Sequence, residues 1–206
     1  MKKILLTGHH GFLGQHLYKA FSETENEVYG LDAATYSDFM EQLRSMDEQH
    51  VYFDYVVHCG AICDSQRQDN LLWQMNYQAT CDIATFCEKK NIKLIFISSC
   101  VAQNPDTPYG WSKKCSEYFL SHTCVHQCIL RPYNIWGFDE SEKGAPSIVW
   151  KVLTGTLPVI YKGCVRDFVF VEDVVSAVVS VTKQWVPGIH EIGTGVPTKI
   201  ETFFEN

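Results

Sequence analysis

The sequence has no run of basic residues and no long apolar stretch near its first residue. Its 206 residues include 17 Lys and Arg against 24 Asp and Glu, a formal net charge of −7. Binding to a nucleic-acid backbone therefore has little electrostatic support. The apolar run Ile4–Leu6 ends at Thr7-Gly8, far short of a signal-peptide core or a membrane span. We expect a cytoplasmic protein that neither crosses a membrane nor binds nucleic acid.

The nine cysteines do not indicate a disulfide framework. Their number is odd, the chain is not small, and nothing marks it for secretion. His122, Cys124, His126 and Cys128 alternate, so on an extended strand they would point to one face. Zinc favours such ligands, but neighbouring positions on one strand face splay their side chains apart. We therefore expect reduced thiols and no metal site.

Short apolar, β-rich runs alternate with helical patterns along the chain. The predicted strands are Lys3–Leu6, Glu27–Leu31, Tyr55–His58, Ile92–Ile97, Gln127–Leu130, Phe168–Val171 and Gly188–Ile192. The predicted helices are Phe12–Phe21, Asp38–Met46, Leu71–Lys89, Tyr109–Ser121, Pro146–Leu153 and Asp173–Lys183. This alternation predicts an α/β fold of the Rossmann type, a doubly wound parallel sheet with helices on both faces.

A glycine-rich turn follows the first predicted strand and opens a helix. Gly8, Gly11 and Gly14 have the spacing that lets a backbone approach a pyrophosphate at a helix N-terminus. Asp32 closes the second strand, where a carboxylate accepts hydrogen bonds from the adenosine ribose. No Lys or Arg occurs in residues 33–36 to receive a 2′-phosphate, and the Asp32 carboxylate would repel one. The pattern predicts a dinucleotide site that takes NAD in preference to NADP.

Tyr109 and Lys113 are four residues apart and would share one face of a helix. A tyrosine is a poor base at neutral pH, but a nearby ammonium and the positive nicotinamide ring favour the phenolate. Such a tyrosine can exchange a proton with a substrate hydroxyl during hydride transfer. Ser98-Ser99 ends the predicted strand Ile92–Ile97, at the sheet edge where open α/β folds bind ligands.

Several motifs in this order resemble the extended short-chain dehydrogenase/reductase family of nucleotide-sugar epimerases and dehydratases. They are T-G-x-x-G-F-L-G at Thr7–Gly14, V-V-H-C-G-A at Val56–Ala61, M-N-Y-Q-A-T around Asn76, S-S at Ser98-Ser99, P-Y-G-W-S-K at Pro108–Lys113, R-P-Y-N-I-W-G at Arg131–Gly137, R-D-F-V-F-V-E-D-V at Arg166–Val174 and I-G-T-G at Ile192–Gly195. Within the family, the sequence is most similar to the ADP-glyceromanno-heptose 6-epimerases.

The resemblance implies a site. Ser99, Tyr109 and Lys113 would be catalytic, and Lys143 would be a second acid/base, with a solvated loop lysine as the alternative. Arg166 and Asn134 would contact the substrate, Arg166 through its nucleotide phosphates. The cofactor would contact Gly8, Gly11, Phe12, Leu13, Gly14, Asp32, Ala61, Asn76, Tyr109, Lys113, Tyr133, Asn134 and Ile135.

We therefore predict an NAD-dependent epimerase that transiently oxidises and reduces a carbinol carbon of a nucleotide-linked sugar. A single Rossmann domain would span residues 1–206, with substrate-binding elements within 136–170 and 193–206. The resemblance also implies a homodimer formed through the helices Leu71–Lys89 and Tyr109–Ser121.

The sequence departs from the family pattern. Ser99 and Tyr109 are only ten positions apart, and eleven residues follow Gly195 where the family continues for much longer. Three alternatives stay open: a carbonyl reductase, a dehydratase, and a protein that binds a dinucleotide without turnover. The dehydratase is disfavoured because Cys100-Val101-Ala102 places no carboxylate beside the serine.

Overall fold

Six parallel strands form the central sheet, in the order β2-β1-β3-β4-β5-β9. The computed structural model describes residues 1–65, 67–140, 146–156 and 163–203, and the side chains of all of these except 202 and 203. The strands are β1 (Lys3–Thr7), β2 (Glu27–Leu31), β3 (Tyr55–His58), β4 (Lys93–Ile97), β5 (Gln127–Pro132) and β9 (Gly188–Ile192). The predicted Rossmann-type sheet is confirmed.

Two layers of helices cover the sheet. The helices are α1 (Phe12–Ser22), α2 (Tyr36–Glu48), α3 (Asn70–Trp73), α4 (Ala79–Lys90), α5 (Pro108–Thr123), α6 (Ile148–Leu153), α7 (Val171–Lys183) and α8 (Ile200–Phe203). The described ranges contain no helix that combines the length and the apolar character needed to span a bilayer.

Both faces of the sheet are buried, as the continuous apolar runs of its strands require. Successive side chains of a strand point to opposite faces, so Ile4 and Leu6 enter one core cluster and Leu5 enters the other. The first cluster packs against α1 and α7, and the second against α2, α4 and α5. A sheet held from both sides fixes the ends of its strands, where the candidate site lies.

The predicted helix Leu71–Lys89 is not one regular helix. It consists of α3, a π-helical turn over Gln74–Gln78, and α4. Side-chain periodicity does not distinguish this arrangement from a continuous α-helix, so the sequence did not reveal it. Single π-turns within helices occur frequently at functional sites.

Two small two-stranded sheets lie outside the central sheet. One pairs β6 (Asn134–Trp136) with β8 (Phe168–Phe170) in parallel, and the other pairs β7 (Val165–Arg166) with β10 (Thr198–Lys199) in antiparallel. The predicted strand Phe168–Val171 ends one residue early because α7 begins at Val171. These pairs lie in the regions expected to hold the substrate.

The chain reverses its direction of winding between β1 and β3. β2 lies on one side of β1, and β3 with the following strands lies on the other. In open α/β sheets such a switch point leaves a crevice outside the carboxyl ends of the two strands, and ligands bind there. Gly8 and Gly60 follow these two ends.

Candidate active site

The turn after β1 brings two segments of backbone into close contact. Gly8 has φ +72°, and a Cβ there would lie 2.5 Å from Cα of Gly60. A Cβ on Gly14 would lie 1.9 Å from the carbonyl oxygen of Gly8. Both positions therefore require glycine. Gly11 is the N-cap of α1 and has no side chain with which to cap the helix. Backbone N–H groups of the first turn are therefore available to a ligand in the crevice.

Phe12 and Leu13 contribute to this turn in different ways. The Leu13 side chain is buried in the core, so any contact of this residue with a cofactor must come from its backbone. Phe12 packs edge to face on His16 and lies beside Gly137. The two side chains anchor the start of α1 rather than fill the crevice.

Asp32 lies just beyond the end of β2, as the sequence predicts, and faces the glycine turn. Its Oδ2 accepts a hydrogen bond of 2.9 Å from the backbone N–H of His10. Its backbone carbonyl accepts one of 2.7 Å from Nε2 of Gln42, which fixes the strand end against α2. The imidazoles of His9 and His10 also stand beside the carboxylate, a feature that the sequence analysis missed.

A buried chain of polar side chains joins the ends of β1 and β3. Thr7 Oγ1 lies 2.6 Å from Nδ1 of His58, and His58 Nε2 lies 3.1 Å from Oγ1 of Thr80. Thr7 Oγ1 also accepts a hydrogen bond from the N–H of Gly60. Burial, with the charge of Lys113 as a second cause, lowers the pKa of His58 to about 3. The imidazole is therefore neutral and holds the two strand ends in register.

Asn76 fixes the loop that follows β3. Its Oδ1 accepts a hydrogen bond from the N–H of Ile62, and its Nδ2 donates to the carbonyl of Ile62 and to Oγ of Ser112. The residue is 1% exposed and lies on the π-turn. Both amide hydrogens are thus used within the protein, so Asn76 acts on the crevice by holding Ala61 and its neighbours in place.

Tyr109 and Lys113 lie one turn apart on α5. The helix begins at Pro108, and Thr107 caps it by accepting a hydrogen bond from the N–H of Gly110. Lys113 is 2% exposed, and its Nζ donates to the carbonyl of Ile97 at 2.8 Å. Burial lowers the pKa of Lys113, which is the effect expected of an ammonium removed from water.

The phenol of Tyr109 lies near the Ser99 hydroxyl and the Cys63 thiol and interacts with both. Burial raises the pKa of Tyr109 well above its usual value, Cys63 raises it further, and Ser99 opposes the rise. The sequence predicts that Lys113 and the nicotinamide ring together lower this pKa; in the chain alone, desolvation is the largest effect and outweighs the opposing contribution of Ser99. Tyr109 is therefore a proton donor in this state.

The two serines at the end of β4 have separate roles. Ser98 is buried and donates to Oε1 of Glu117 at 2.5 Å. Glu117 also accepts hydrogen bonds from Nε and Nη2 of Arg131, at 2.8 and 2.6 Å. Ser99 caps the 3-10 turn Cys100–Ala102 and reaches Tyr109. Ser98 is thus engaged with Glu117, whereas Ser99 lies near Tyr109.

The residues expected to contact the substrate and the nicotinamide end lie near β6 and β7. Asn134 binds the carbonyl of Asp167 through both its backbone and its side chain, while Tyr133 donates to Glu191. Ile135 packs against the core. Arg166 is exposed and donates to the carbonyl of Val165, and its charge opposes the rise in the pKa of Cys100 that burial causes. Lys143 lies outside the described residues.

The alternating His and Cys segment does not form one strand. β5 begins only at Gln127, and Cys124 and Cys128 enter opposite core clusters. The ring of His122 turns back onto α5, where its Nδ1 lies 2.7 Å from the carbonyl of Tyr118. In the parts of the chain that the structure describes, the four residues do not converge on a common point.

Comparison with known proteins identifies the family. The profile described as the NAD dependent epimerase/dehydratase family matches residues 4–193, so the chain belongs to this family. Its cofactor is accordingly NAD. The glycine turn, Asp32 and the buried Lys113 fit such a cofactor, because the backbone around Gly8 approaches closely only in the absence of Cβ atoms.

Solved structures with the same fold include sugar-modifying enzymes. The ADP-L-glycero-D-manno-heptose-6-epimerase of Helicobacter pylori is 26% identical, with a TM-score of 0.84 over 99% of this chain and 80% of that chain. The UDP-glucose 4-epimerase of Thermus thermophilus, in complex with NAD, is 24% identical, with a TM-score of 0.81 over 96% and 79%. The dTDP-4-dehydrorhamnose reductase of Bacillus anthracis, in complex with NADP, is 17% identical, with a TM-score of 0.79 over 98% and 78%. The last two likenesses establish the fold alone.

Proposed function

We propose that the protein is an epimerase that inverts a carbinol carbon of a nucleotide-linked sugar by transient oxidation and reduction. The observation that carries this proposal is the meeting of Tyr109, Ser99 and Lys113 beside the switch point of the sheet. The likeness to the heptose epimerase of Helicobacter pylori supports a sugar substrate.

When bound, NAD supplies the ring that accepts a hydride from the sugar carbon in the oxidation step and returns it in the reduction step. The glycine turn would hold its pyrophosphate, and Asp32 would hold the adenosine ribose. The loop of Ala61, kept in place by Asn76, would lie along the dinucleotide, and Tyr133 to Ile135 would border its nicotinamide end. Lys113 would bind the nicotinamide ribose from its buried position at the end of β4.

Tyr109 would exchange the proton of the substrate hydroxyl. Its raised pKa keeps the phenol protonated, which is the form that the reduction step requires. For the oxidation step it must lose that proton, and a positive charge placed beside it lowers the cost of the phenolate. Ser99 would orient the substrate oxygen, because its hydroxyl already reaches the phenol of Tyr109.

The substrate would extend from this site towards the elements within 136–170 and 193–206. Arg166 would pair with the nucleotide phosphates, since a guanidinium binds phosphate oxygens in a bidentate manner. Asn134 would contact the sugar. Lys143 would be the second acid/base on the opposite face of the carbon. Replacing Lys143 with Ala should then abolish inversion but spare hydride transfer from the Tyr109 side.

A carbonyl reductase of the same family is the second candidate. The observation that favours it is the raised pKa of Tyr109, which keeps the phenol in the protonated form that a reductase starts from. The fold also matches a reductase, although at 17% identity. The two candidates differ in outcome: an epimerase leaves NAD unchanged over a full turnover, whereas a reductase consumes the reduced cofactor.

We also propose a homodimer in the cytoplasm, formed through the segments Leu71–Lys89 and Tyr109–Ser121. Tyr118 on α5 is 68% exposed, but Phe119 and Tyr77 pack on each other at 6.4 Å between ring centroids. Only part of the aromatic surface of these segments is therefore free to contact a partner. A monomeric mass by light scattering at tens of micromolar would count against the dimer.

The test of the proposed function uses the purified chain with NAD and two sugar nucleotides, ADP-glycero-manno-heptose and UDP-glucose. We expect inversion of one carbon in one of the two sugars, which NMR spectra of the sugar would detect. In single turnover, the absorbance of reduced nicotinamide should rise and fall. Net consumption of added reduced cofactor without inversion would favour the reductase instead.

Tyr109→Phe and Tyr118→Phe form a matched pair on the same helix. Loss of a general acid/base lowers turnover by about 10²–10⁴-fold, so we expect this loss for Tyr109→Phe with little change in NAD affinity. Tyr118 is exposed and stacks on His122, so Tyr118→Phe should stay active. A fully active Tyr109→Phe enzyme would overturn the catalytic assignment.

A further inference from the structure

Two histidines of the glycine turn and the acidic residue at the end of β2 form a cluster of metal-ligating groups. One ligand atom from each of His9, His10 and Asp32 lies within 4.8 Å of the other two. Nδ1 of His10 is 3.3 Å from Oδ2 of Asp32, and Nδ1 of His9 is 4.0 Å from the same atom. We propose that these residues bind a zinc ion, and that zinc and NAD exclude one another because both require Asp32.

The state of His9 supports the site independently. Its Nδ1 is enclosed and has no hydrogen-bond partner among the described residues, although it faces the carboxylate of Asp32. A buried nitrogen without a partner loses its hydration without compensation, and a metal ion would supply the missing partner. The rings of His9 and His10 are 3.9 Å apart between centroids, so the two imidazoles converge on one region.

Gly30 on β2 makes room for the ring of His9. A Cβ at this position would lie 2.6 Å from Nε2 of His9. Gly30 thereby seats the imidazole, while the hydrogen bond from Gln42 to the backbone of Asp32 fixes the other side of the cluster. Contacts of this kind orient metal ligands and affect affinity.

The donor set indicates the class of metal. Two imidazole nitrogens and one carboxylate oxygen suit zinc, which takes three protein ligands and leaves a fourth position for water. Ligand atoms around a tetrahedral zinc are about 3.3 Å apart at the usual bond lengths of about 2.0 Å. The distance between His10 and Asp32 already has this value, and His9 needs a small movement.

The competition with NAD rests on the proposed function, because Asp32 is there the ligand of the adenosine ribose. A carboxylate bound to zinc is not available to ribose hydroxyls. Each ligand must then weaken the other by the same factor, since binding equilibria at linked sites are reciprocal. Zinc would thus lower the fraction of protein that holds its cofactor.

The experiment titrates zinc chloride into the full chain by calorimetry, first without and then with saturating NAD. We expect one zinc per chain, and an apparent Kd that rises at least about 10-fold with NAD present. His10→Ala removes a ligand and should weaken zinc by at least the 10–100-fold range typical of lost outer contacts. Gly30→Ala keeps every ligand but displaces the ring of His9, a flexible side chain, and should also weaken zinc about 10-fold.

Cys63→Ser serves as the control, because Cys63 is an exposed thiol and thiols also bind zinc. Zinc affinity unchanged in Cys63→Ser and reduced in His10→Ala supports the site. Equal affinity in the wild type, His10→Ala and Gly30→Ala would overturn it, as would loss of zinc binding in Cys63→Ser. Zinc should raise Tm in the wild type and in Cys63→Ser but not in His10→Ala, and circular dichroism spectra of native shape in all of them exclude misfolding as the cause. If the zinc-free protein does not bind NAD, the proposed function is contradicted, whereas the zinc site itself is unaffected by that result.

Discussion

Replacing Glu117 with Gln should destabilise the protein strongly. The Glu117 carboxylate is 3% exposed and accepts three hydrogen bonds, one from Ser98 and two from Arg131. These bonds join α5 to the ends of β4 and β5. Glutamine keeps the shape but has no charge and only one acceptor oxygen, so the Arg131 guanidinium stays largely buried with Glu191, 3.8 Å away, as its remaining acidic partner.

The expected cost follows from this geometry. Removing one partner of a buried ion pair costs about 3–5 kcal/mol. For a domain of this size, about 1 kcal/mol shifts Tm by roughly 2–4 °C, so Tm should fall by roughly 6–20 °C. Chemical and thermal unfolding followed by circular dichroism measure both quantities.

Glu191→Gln is the matched control for this variant. Glu191 is more exposed and lies farther from Arg131, so its loss should cost no more than about 1 kcal/mol. A Glu117→Gln protein that unfolds within about 1 kcal/mol of the wild type would refute the argument. Burial of the Glu117–Arg131 ion pair would then not determine how much the pair contributes to the free energy of unfolding.

Three further predictions concern pH, cofactor and lysine. The pKa of His58 in the folded protein is about 3, below its ordinary value of 6.5, so the unfolded chain binds more protons between these values. Stability should therefore be complete above about pH 6.5 and decrease as the pH falls towards 3, and His58→Gln should flatten this dependence in unfolding experiments. NAD should bind at least ten times more tightly than NADP, about 1.4 kcal/mol, because Asp32 repels a 2′-phosphate, and equal affinities in calorimetry would contradict this. Lys113→Ala should lower both turnover and NAD affinity, whereas Lys114→Ala on the same helix should change neither.

The sheet and the position of the candidate site could be predicted from local signals. Short apolar runs that alternate with helical patterns marked the strands, and the spacing of Tyr109 and Lys113 marked one face of α5. Asp32 was predicted because it ends a strand at a fixed distance from the glycine turn. Each of these inferences needs only neighbours in sequence.

The remaining features depend on contacts between distant segments. The bond between Thr7 and His58 joins residues 51 positions apart, and nothing local distinguishes this histidine from an exposed one. The direction of the pKa shift of Tyr109 depends on how deeply the folded chain buries it. The approach of His9 and His10 to Asp32 likewise requires β2 to lie beside β1, with glycine at position 30.

The π-turn makes the chain length between α3 and α4 critical. A π-turn holds one residue more than regular α-helical winding. A one-residue deletion in Gln74–Gln78 would therefore let regular winding run from α3 into α4 with little rotation between them, but it would turn the side chains within the segment to new directions. Asn76 would then lose the geometry of its hydrogen bonds to Ile62 and Ser112. A single-residue deletion in this segment is therefore expected to uncouple the loop after β3 from α5, although every strand of the sheet keeps its sequence.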